Sequence, residues 1–497
     1  MRDVTSKRLR LAIVLLATIF CFAEAQFAFG QQISPAERLN ELRRLRDQLQ
    51  LTGSLRDADV VVILNERAIS EAAQQLVGLE FLLSNGGVLK LTSVETELKP
   101  GAAIVKIGIQ AKSSTTVNLQ LISRINSGEL EKDSLRLPLR VTDVKLMNGG
   151  LSSLFLKTIF GEWLKPETWS DELPAIEIPA QFSETMRIPA GRFDVAGEMP
   201  MEISTPDYQV PLKFAVTSLL ALNKRAVIAL RVGQDAPAAN LIQTSFAGAN
   251  DNDPAALEDE IARLSEGLSA SGDMRVRVNR RVINTLLAQM ATAQNTDFNI
   301  SLKRGRIRSE EVNVIVNVTN YTDVEGGEGR ADITQLNIER IADGKIEIRL
   351  TGQGEMDARV NGREYGIPYT LSPHVSFSIK DQSLPLEFFS EEKKMFLRAA
   401  PGSTLPINVR FTLKVAGQDF SFSRQSVAQA DKWLNRIELP SFFDREISLP
   451  RKMEIDAGGN PYITEKRSLG YTLSSVRAVA KDDAIEIIAD VKLNPPK

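Results

Sequence analysis

From Ser34 onward the chain is written twice. Ser34-Pro35-Ala36 opens a helical pattern with Leu39, Leu42, Leu45 and Leu49 on one face, and Asp253-Pro254-Ala255 opens another with Leu257, Ile261, Leu264 and Leu268. Each begins with a capping residue and a proline at the first helical position, where the missing N–H costs nothing. At an offset of 219, Pro35/Pro254, Ala36/Ala255, Glu41/Glu260, Arg44/Arg263, Leu45/Leu264 and Leu49/Leu268 coincide. Periodicity explains the leucines but not the whole set. At an offset of 214, Asp59 to Ile69 aligns with Asp273 to Ile283, sharing Val62/Val276, Asn65/Asn279 and Arg67/Arg281. In both places a short strand runs into an Asn suited to cap a helix, followed by apolar residues at helical spacing: Ile69, Ala72, Ala73 and Leu76, then Ile283, Leu286, Leu287 and Met290. Trp163-Leu164 matches Trp433-Leu434, each followed by Glu-Leu-Pro, and the closing strands agree at an offset of 257 through Leu212/Leu469, Ser218/Ser475, Ala221/Ala478 and Lys224/Lys481. Four collinear blocks define two tandem units, 33–232 and 254–497, joined by a linker at 233–253 that is rich in Ala, Asn, Asp and Gly. The changing offset places about 56 extra residues in the second unit, within 330–415.

Within each unit the pattern then takes a period of two. Val88, Leu89, Leu91, Val94 and Leu98, then Ile104 to Ile109, Val117 to Leu121 and Leu135 to Val141 mostly alternate with polar residues, and Phe298 to Leu302, Val312 to Val318, Ile333 to Ile338, Ile346 to Leu350 and Val375 to Ile379 repeat this. Such alternation marks antiparallel strands with one apolar and one wet face. A further amphipathic helix is expected near Leu151 to Leu164, with a counterpart near Ser426 to Leu434. The fold class expected is α+β: two tandem copies of a curved, mainly antiparallel sheet wrapping amphipathic helices. Long one-sided strands with few helices must cover their apolar face with another sheet, with a helix, or with something that is not protein.

That order resembles the tubular lipid-binding superfamily, the fold of bactericidal/permeability-increasing protein, in which a strongly curved sheet wraps a long helix around an apolar tunnel. The likeness spans both units: a helix early in each, a helix followed by a Leu-Pro segment late in each, and the head-to-tail duplication. It implies lipid binding and assigns no residue a role. Two departures stand out: the mature chain lacks the disulfide of the secreted animal members, and the opening helices at 35–49 and 254–268 are additional.

Composition narrows the chemistry. Residues 1–25 carry Arg2, Lys7, Arg8 and Arg10, an apolar run from Leu11 to Ala23, and Ala23-Glu24-Ala25, the order of a cleavable secretory signal cut after 25 or after Gly30. The run is too short to span a bilayer, so a bacterial periplasm or envelope address is expected. The one cysteine, Cys21, falls inside that signal. Lys and Arg number 60 against 63 Asp and Glu, and removing the signal leaves a net charge near −5, which argues against nucleic acid as a partner. With no mature cysteine, thiolate metal sites have no residues to draw on, and the one histidine, His374, beside a strand in the insertion, reads as a loop or edge residue; an Asp/Glu- or Ser/Lys-based enzyme ranks third among the readings. No enzyme, metal or cofactor is therefore expected. Asn250 to Asp253 lacks the Gly and Glu of a calcium loop and reads as a helix cap; Gly326-Gly327-Glu328-Gly329 lacks a following Lys-Ser/Thr and reads as a hairpin turn.

Two functional readings follow. In the first, an exported protein carries or senses a lipid or other hydrophobic ligand in an apolar cavity of each unit. The lining residues would be Ile69, Leu76, Phe155, Ile159, Leu286, Met290 and Trp433, each equally at home in a plain core. Arg275, Arg277, Arg280, Arg281, Lys303, Arg304, Arg306 and Arg308 would form a basic patch able to dock on an anionic membrane surface. In the second, a structural or scaffolding protein has filled cores and presents its polar faces to protein or glycan partners. The two differ in one feature, a hollow core against a packed one.

Overall fold

The structure is a computed structural model. It describes residues 34–51, 55, 58–82, 88–112, 116–126, 129–131, 134–137, 139–147, 166, 176–179, 181–188, 190–196, 201–206, 208–233, 252–268, 272–292, 298–313, 317–342, 345–391, 394–415, 418–433, 437–438, 447–455, 461–469, 471–481 and 483–493. The expected signal at 1–25, the helix near 151–164 and most of the linker lie outside these residues. What is described is mostly antiparallel sheet with few helices.

A seven-stranded sheet forms the centre. Its order is β10 (Gln181–Ile188), β13 (Tyr208–Leu222), β14 (Arg225–Val232), β1 (Val60–Asn65), β15 (Met274–Asn279), β29 (Ala484–Leu493) and β28 (Tyr471–Lys481). β1, Val-Val-Val-Ile-Leu-Asn, is apolar on both faces because both faces are covered. Val60 packs into the main core, while Val61 and Ile63 face a second cluster.

β1 and β15 pair antiparallel with Val62 opposite Val276, two residues that correspond at the offset of 214. The contacts outward from that pair come in twos. Asn65 N donates to Asp273 O at 2.8 Å, and Asn279 N to Asp59 O at 2.9 Å. Arg67 Nε donates to Asp273 Oδ1 at 3.0 Å, and Arg281 Nε to Asp59 Oδ1 at 3.1 Å. The second oxygen of each carboxylate takes a strand N–H, from Val232 at 2.8 Å and from Val491 at 3.0 Å. The outer hairpins correspond at 259 rather than 257: Lys224 and Asp483 hold the same left-handed turn position, φ 59° and 61°, and accept from Glu66 N and Arg280 N. A two-residue slip leaves every side chain on its original face, so identities alone could not detect it.

The opening helices, α1 (Pro35–Leu51) and α3 (Pro254–Leu264), lie together on the outer face of this sheet. Leu42, Leu45, Leu49, Leu257 and Ile261 cover Val61, Ile63, Leu220, Leu222, Val227 and Ala229. Four of the six corresponding positions of the other half are charged, Arg275, Arg277, Lys481 and Glu486, with Arg275 paired to Glu486. Both helices therefore cover one half and neither needs to cover the other. Ser34 caps α1 through a reciprocal box, its Oγ accepting from Glu37 N and its N–H donating to Glu37 Oε2. Asp253 Oδ1 accepts from Ala255 N at 3.0 Å, as the Asp-Pro pair predicts. Asp253→Ala should cost about 1 kcal/mol, read as a lower urea midpoint at unchanged slope.

Helices α2 (Glu66–Gln74) and α4 (Arg280–Thr292) follow β1 and β15. Asn279 Oδ1 caps α4 through Arg281 N, whereas the Asn65 side chain makes no cap hydrogen bond. Each helix takes the place of a strand along an open sheet edge. Ser70 Oγ donates to Thr96 O of β3 (Val88–Lys99), and Asn284, its counterpart, exchanges two hydrogen bonds with the backbone of Ile338 in β18 (Asn317–Ala342). Unpaired edges are thus closed without a further strand.

Besides a three-stranded sheet of 129–131, 134–137 and 176–179, two larger sheets flank the centre, and neither of these is drawn from one half of the chain. The first runs β27 (Pro461–Leu469), β26 (Ile447–Ile455), β2 (Glu80–Leu82), β3, β4 (Ala102–Lys112), β5 (Thr116–Asn126) and β8 (Leu139–Leu146), so a hairpin from beyond residue 446 joins strands from 80–146. The other contains β11 (Gly191–Ala196) and β12 (Met201–Thr205) among strands from 298–438.

Two expectations are corrected by the sheet pairings. Gly326 to Gly329 is no turn but lies inside β18, paired with β19 (Lys345–Glu364) on one side and β16 (Phe298–Leu302) on the other. A Cβ at Gly327 would meet Asp357 O at 2.8 Å, and one at Gly329 would lie against Glu355 O and the Met356 side chain. The glycines let neighbouring backbones approach where the sheet bends. The helix expected over Ser426 to Leu434 shrinks to α5 (Ala430–Trp433), and 426–429 end a strand, β24 (Gln418–Gln429). Buried Ser426, Ala428 and Ala430 alternate with exposed Val427 and Gln429, and β23 (Thr404–Val415) supplies the ladder partners.

Candidate functional site

The pairings of the larger flanking sheet close on themselves. β18 pairs with β16, β16 with β12, β12 with β11, β11 with β24, β24 with β23, β23 with β21 (His374–Glu391), β21 with β19 and β19 with β18, all antiparallel. Eight antiparallel strands form a barrel whose interior is just wide enough to be filled by side chains or to hold one small ligand.

The register fixes which residues face inward. Ile203 lies opposite Ile300, Phe298 opposite Ala331, Ile333 opposite Gly352, Gly352 opposite Ile379, and Leu405 opposite Ala428. Residues of seven of the eight strands meet around a small apolar hollow, about 50 Å³ in volume and partly open to solvent. Ile203, Ile300, Ile333, Phe377, Ile407 and Ala428 are among the residues of its wall. Asp332 and Gln353 also border it, but they are adjacent to inward-facing Ile333 and Gly352, so the alternation of the strands turns their side chains outward. Its wall is apolar and offers almost nothing to a charged group.

Of the seven residues expected to line a cavity, Ile69 and Leu76 have described side chains, and neither borders this one. Leu76 is buried in the main core and Ile69 is half-buried on α2. Phe155 and Ile159, and the side chains of Leu286, Met290 and Trp433, lie outside the described residues. The inward residues of the barrel were legible as alternating strands, but the ring is closed by pairing β11 and β12 with strands more than 90 residues away, which no local pattern records.

The eight basic residues are spread over β15, α4, the segment after β16 and β17 (Gly305–Asn313). Six of them meet acids: Arg275 with Glu486, Arg280 with Asp483, Arg281 with Asp59, Lys303 with Glu202, Arg306 with Asp323, and Arg308 with Glu310 and Glu364. The Arg306 guanidinium holds the Asp323 carboxyl below the usual carboxylate range, by hydrogen bond and by charge. This pairing leaves less positive charge to offer an anionic surface. His374 stands on the barrel's outer face, with Asp357 at 3.2 Å and Glu355 at 3.5 Å. Among the described residues, no three His, Cys, Asp or Glu side chains are grouped to hold a metal ion.

No protein-family model matches the chain. No curated protein matches it either. Among solved structures, a lipopolysaccharide binding protein is similar at 9% identity and a TM-score of 0.25, over 88% of this chain and 99% of that one. A likeness of that size carries no argument about the ligand of this chain.

Proposed function

We propose that the protein is a non-enzymatic carrier or sensor of a lipid or other hydrophobic ligand, held inside the eight-stranded barrel. The observation that carries this reading is the apolar hollow. An unfilled interior forfeits the dispersion contacts of its lining, and a scaffold selected for rigidity would fill it with larger side chains. The chemistry required is burial alone, so no reacting group is needed. The export signal at 1–25 and a bacterial envelope location belong to the same proposal. So does descent from a duplicated unit in the manner of the tubular lipid-binding superfamily, which the paired contacts around Val62 and Val276 support.

Native mass spectrometry of residues 26–497, purified without detergent from the source envelope and followed by solvent extraction, tests the proposal. The expected result is lipid retained at a fixed stoichiometry. A clean apo mass, unchanged after incubation with phospholipid vesicles, would overturn it in favour of a filled-core scaffold.

A further inference from the structure

The two most exposed large apolar side chains among the described residues stand at the end of one hairpin. Tyr365 is 62% exposed and Ile367 70%. They flank Gly366 in the turn between β19 and β20 (Ile367–Leu371), where Glu364 pairs with Ile367. The ring of the barrel uses β18 from Gly327 and β19 up to Asp357. Beyond those points the two strands run on together, with β17 beside one and β20 beside the other. Residues 358–364 carry the turn about 20 Å past the last ring pairing.

The turn is held in a set shape. Tyr365 and Gly366 both have positive φ, 46° and 85°, the two-residue hairpin geometry whose first place suits Asn, Asp or Gly. Tyr365 N donates to Oδ1 of Asn320 at 2.8 Å, and Asn320 is 1% exposed. Arg363 Nε donates to Gly366 O at 3.1 Å. A tyrosine at this position strains its own backbone and exposes a ring, so neither stability nor solubility accounts for it.

We propose that this turn is a membrane-docking finger, which inserts Tyr365 and Ile367 into the headgroup layer of a phospholipid bilayer and sets Arg363 against a lipid phosphate. A large side chain offers about 200 Å², so the pair presents roughly 260 Å², a third of the about 800 Å² that a stable protein interface takes from each partner. Interfacial docking sets no such threshold, and Tyr and Arg both keep their polar ends at headgroup depth while their apolar parts sit deeper. The charges around the turn suit a zwitterionic surface. Arg306 and Arg308 are met by Asp323, Glu310 and Glu364, while Arg363 bonds a carbonyl and exposed Glu311 on β17 offsets it at longer range. Docking of this kind is independent of what the hollow holds.

The test is flotation with phosphatidylcholine vesicles of the wild-type chain, Tyr365→Asn, Ile367→Thr and Met147→Thr. Met147, 57% exposed just past the end of β8, is the control. Wild-type chain should float with the vesicles. Removing about half of the exposed area at 365 or 367 from lipid contact predicts about tenfold weaker binding for the first two variants and no change for the third. Tyr365→Asn should also hold or raise the unfolding midpoint, because Asn suits the turn. A wild-type chain that stays off the vesicles, undiminished binding by Tyr365→Asn, or an equal loss in Met147→Thr would overturn the finger. Binding that appears only when phosphatidylglycerol is added would overturn it in favour of the basic residues. A lowered unfolding midpoint in Tyr365→Asn would overturn it too, since the ring would then be kept for packing.

Discussion

Asp59→Ala should destabilise the protein by about 3 kcal/mol, and Asp273→Ala by nearly the same amount. Each carboxylate is almost fully enclosed, at 5% and 3% side-chain exposure, while the arginines that reach them, Arg281 and Arg67, are more than half exposed. Truncation therefore strands a buried strand N–H, that of Val232 or Val491, as well as releasing a guanidinium. Hydrogen bonding to Asp273 raises the pKa of Arg67 further, so that guanidinium stays charged throughout the accessible pH range. The control is Asp323→Ala, which removes a bidentate pair to Arg306 at the surface and should cost under about 1 kcal/mol. Urea unfolding of the three variants decides the matter. Equal losses at 59 and 273, well above that at 323, are expected. A small loss at either seam position would mean that β1 and β15 are held by backbone pairing and packing alone.

These seam residues were partly legible beforehand. Asp59, Arg67, Asp273 and Arg281 stand at matched places in the two blocks that align at 214, so their equivalence could be read from the chain. Their partnership could not, because each arginine crosses to the other half's aspartate rather than bonding within its own block. The same limit recurs in the barrel. Alternation marked 298–302, 333–338, 346–350 and 375–379 as strands, and all four segments fall in strands, but 312–318 spans the end of β17 and the start of β18. Strand period says which face a residue takes and nothing about its neighbour, so the strands from 191–205 that complete the ring left no sign. The glycine run at 326–329 misled for a related reason. Glycine serves both a tight turn and a close approach of two backbones, and only the partner strand distinguishes the uses. Ser426, Ala428 and Ala430 recur at a spacing of two, which fits a strand face and not a helix face, and β23 beside them supplies the ladder.

The use of glycine in the barrel wall gives the second large effect. Gly329→Val should cost more than about 3 kcal/mol, at the upper end for overpacking. Its Cβ would be driven into Glu355 O and the Met356 Cβ, and would come within 2.7 Å of Met356 Cα. These are largely backbone atoms of the paired strand, fixed by the ladder on both sides of the contact, so no rotamer change relieves the clash. Relief requires β18 and β19 to separate locally, which would open the ring at the strands that carry Ile333 and Gly352. Stability and ligand retention should therefore fall together, with hydrogen exchange accelerated in 327–333 and 350–357 before it changes in the central sheet. Gly366→Ala supplies the contrast: it sits at φ 85° with nothing within 4 Å of where the added methyl would stand, so it strains only its own backbone and should cost about 1 kcal/mol. If Gly329→Val proved as mild as Gly366→Ala, the two strands would not approach as closely as the closed barrel requires. The hollow would then be an open groove, and an apolar chain lying in it would be exposed along one side.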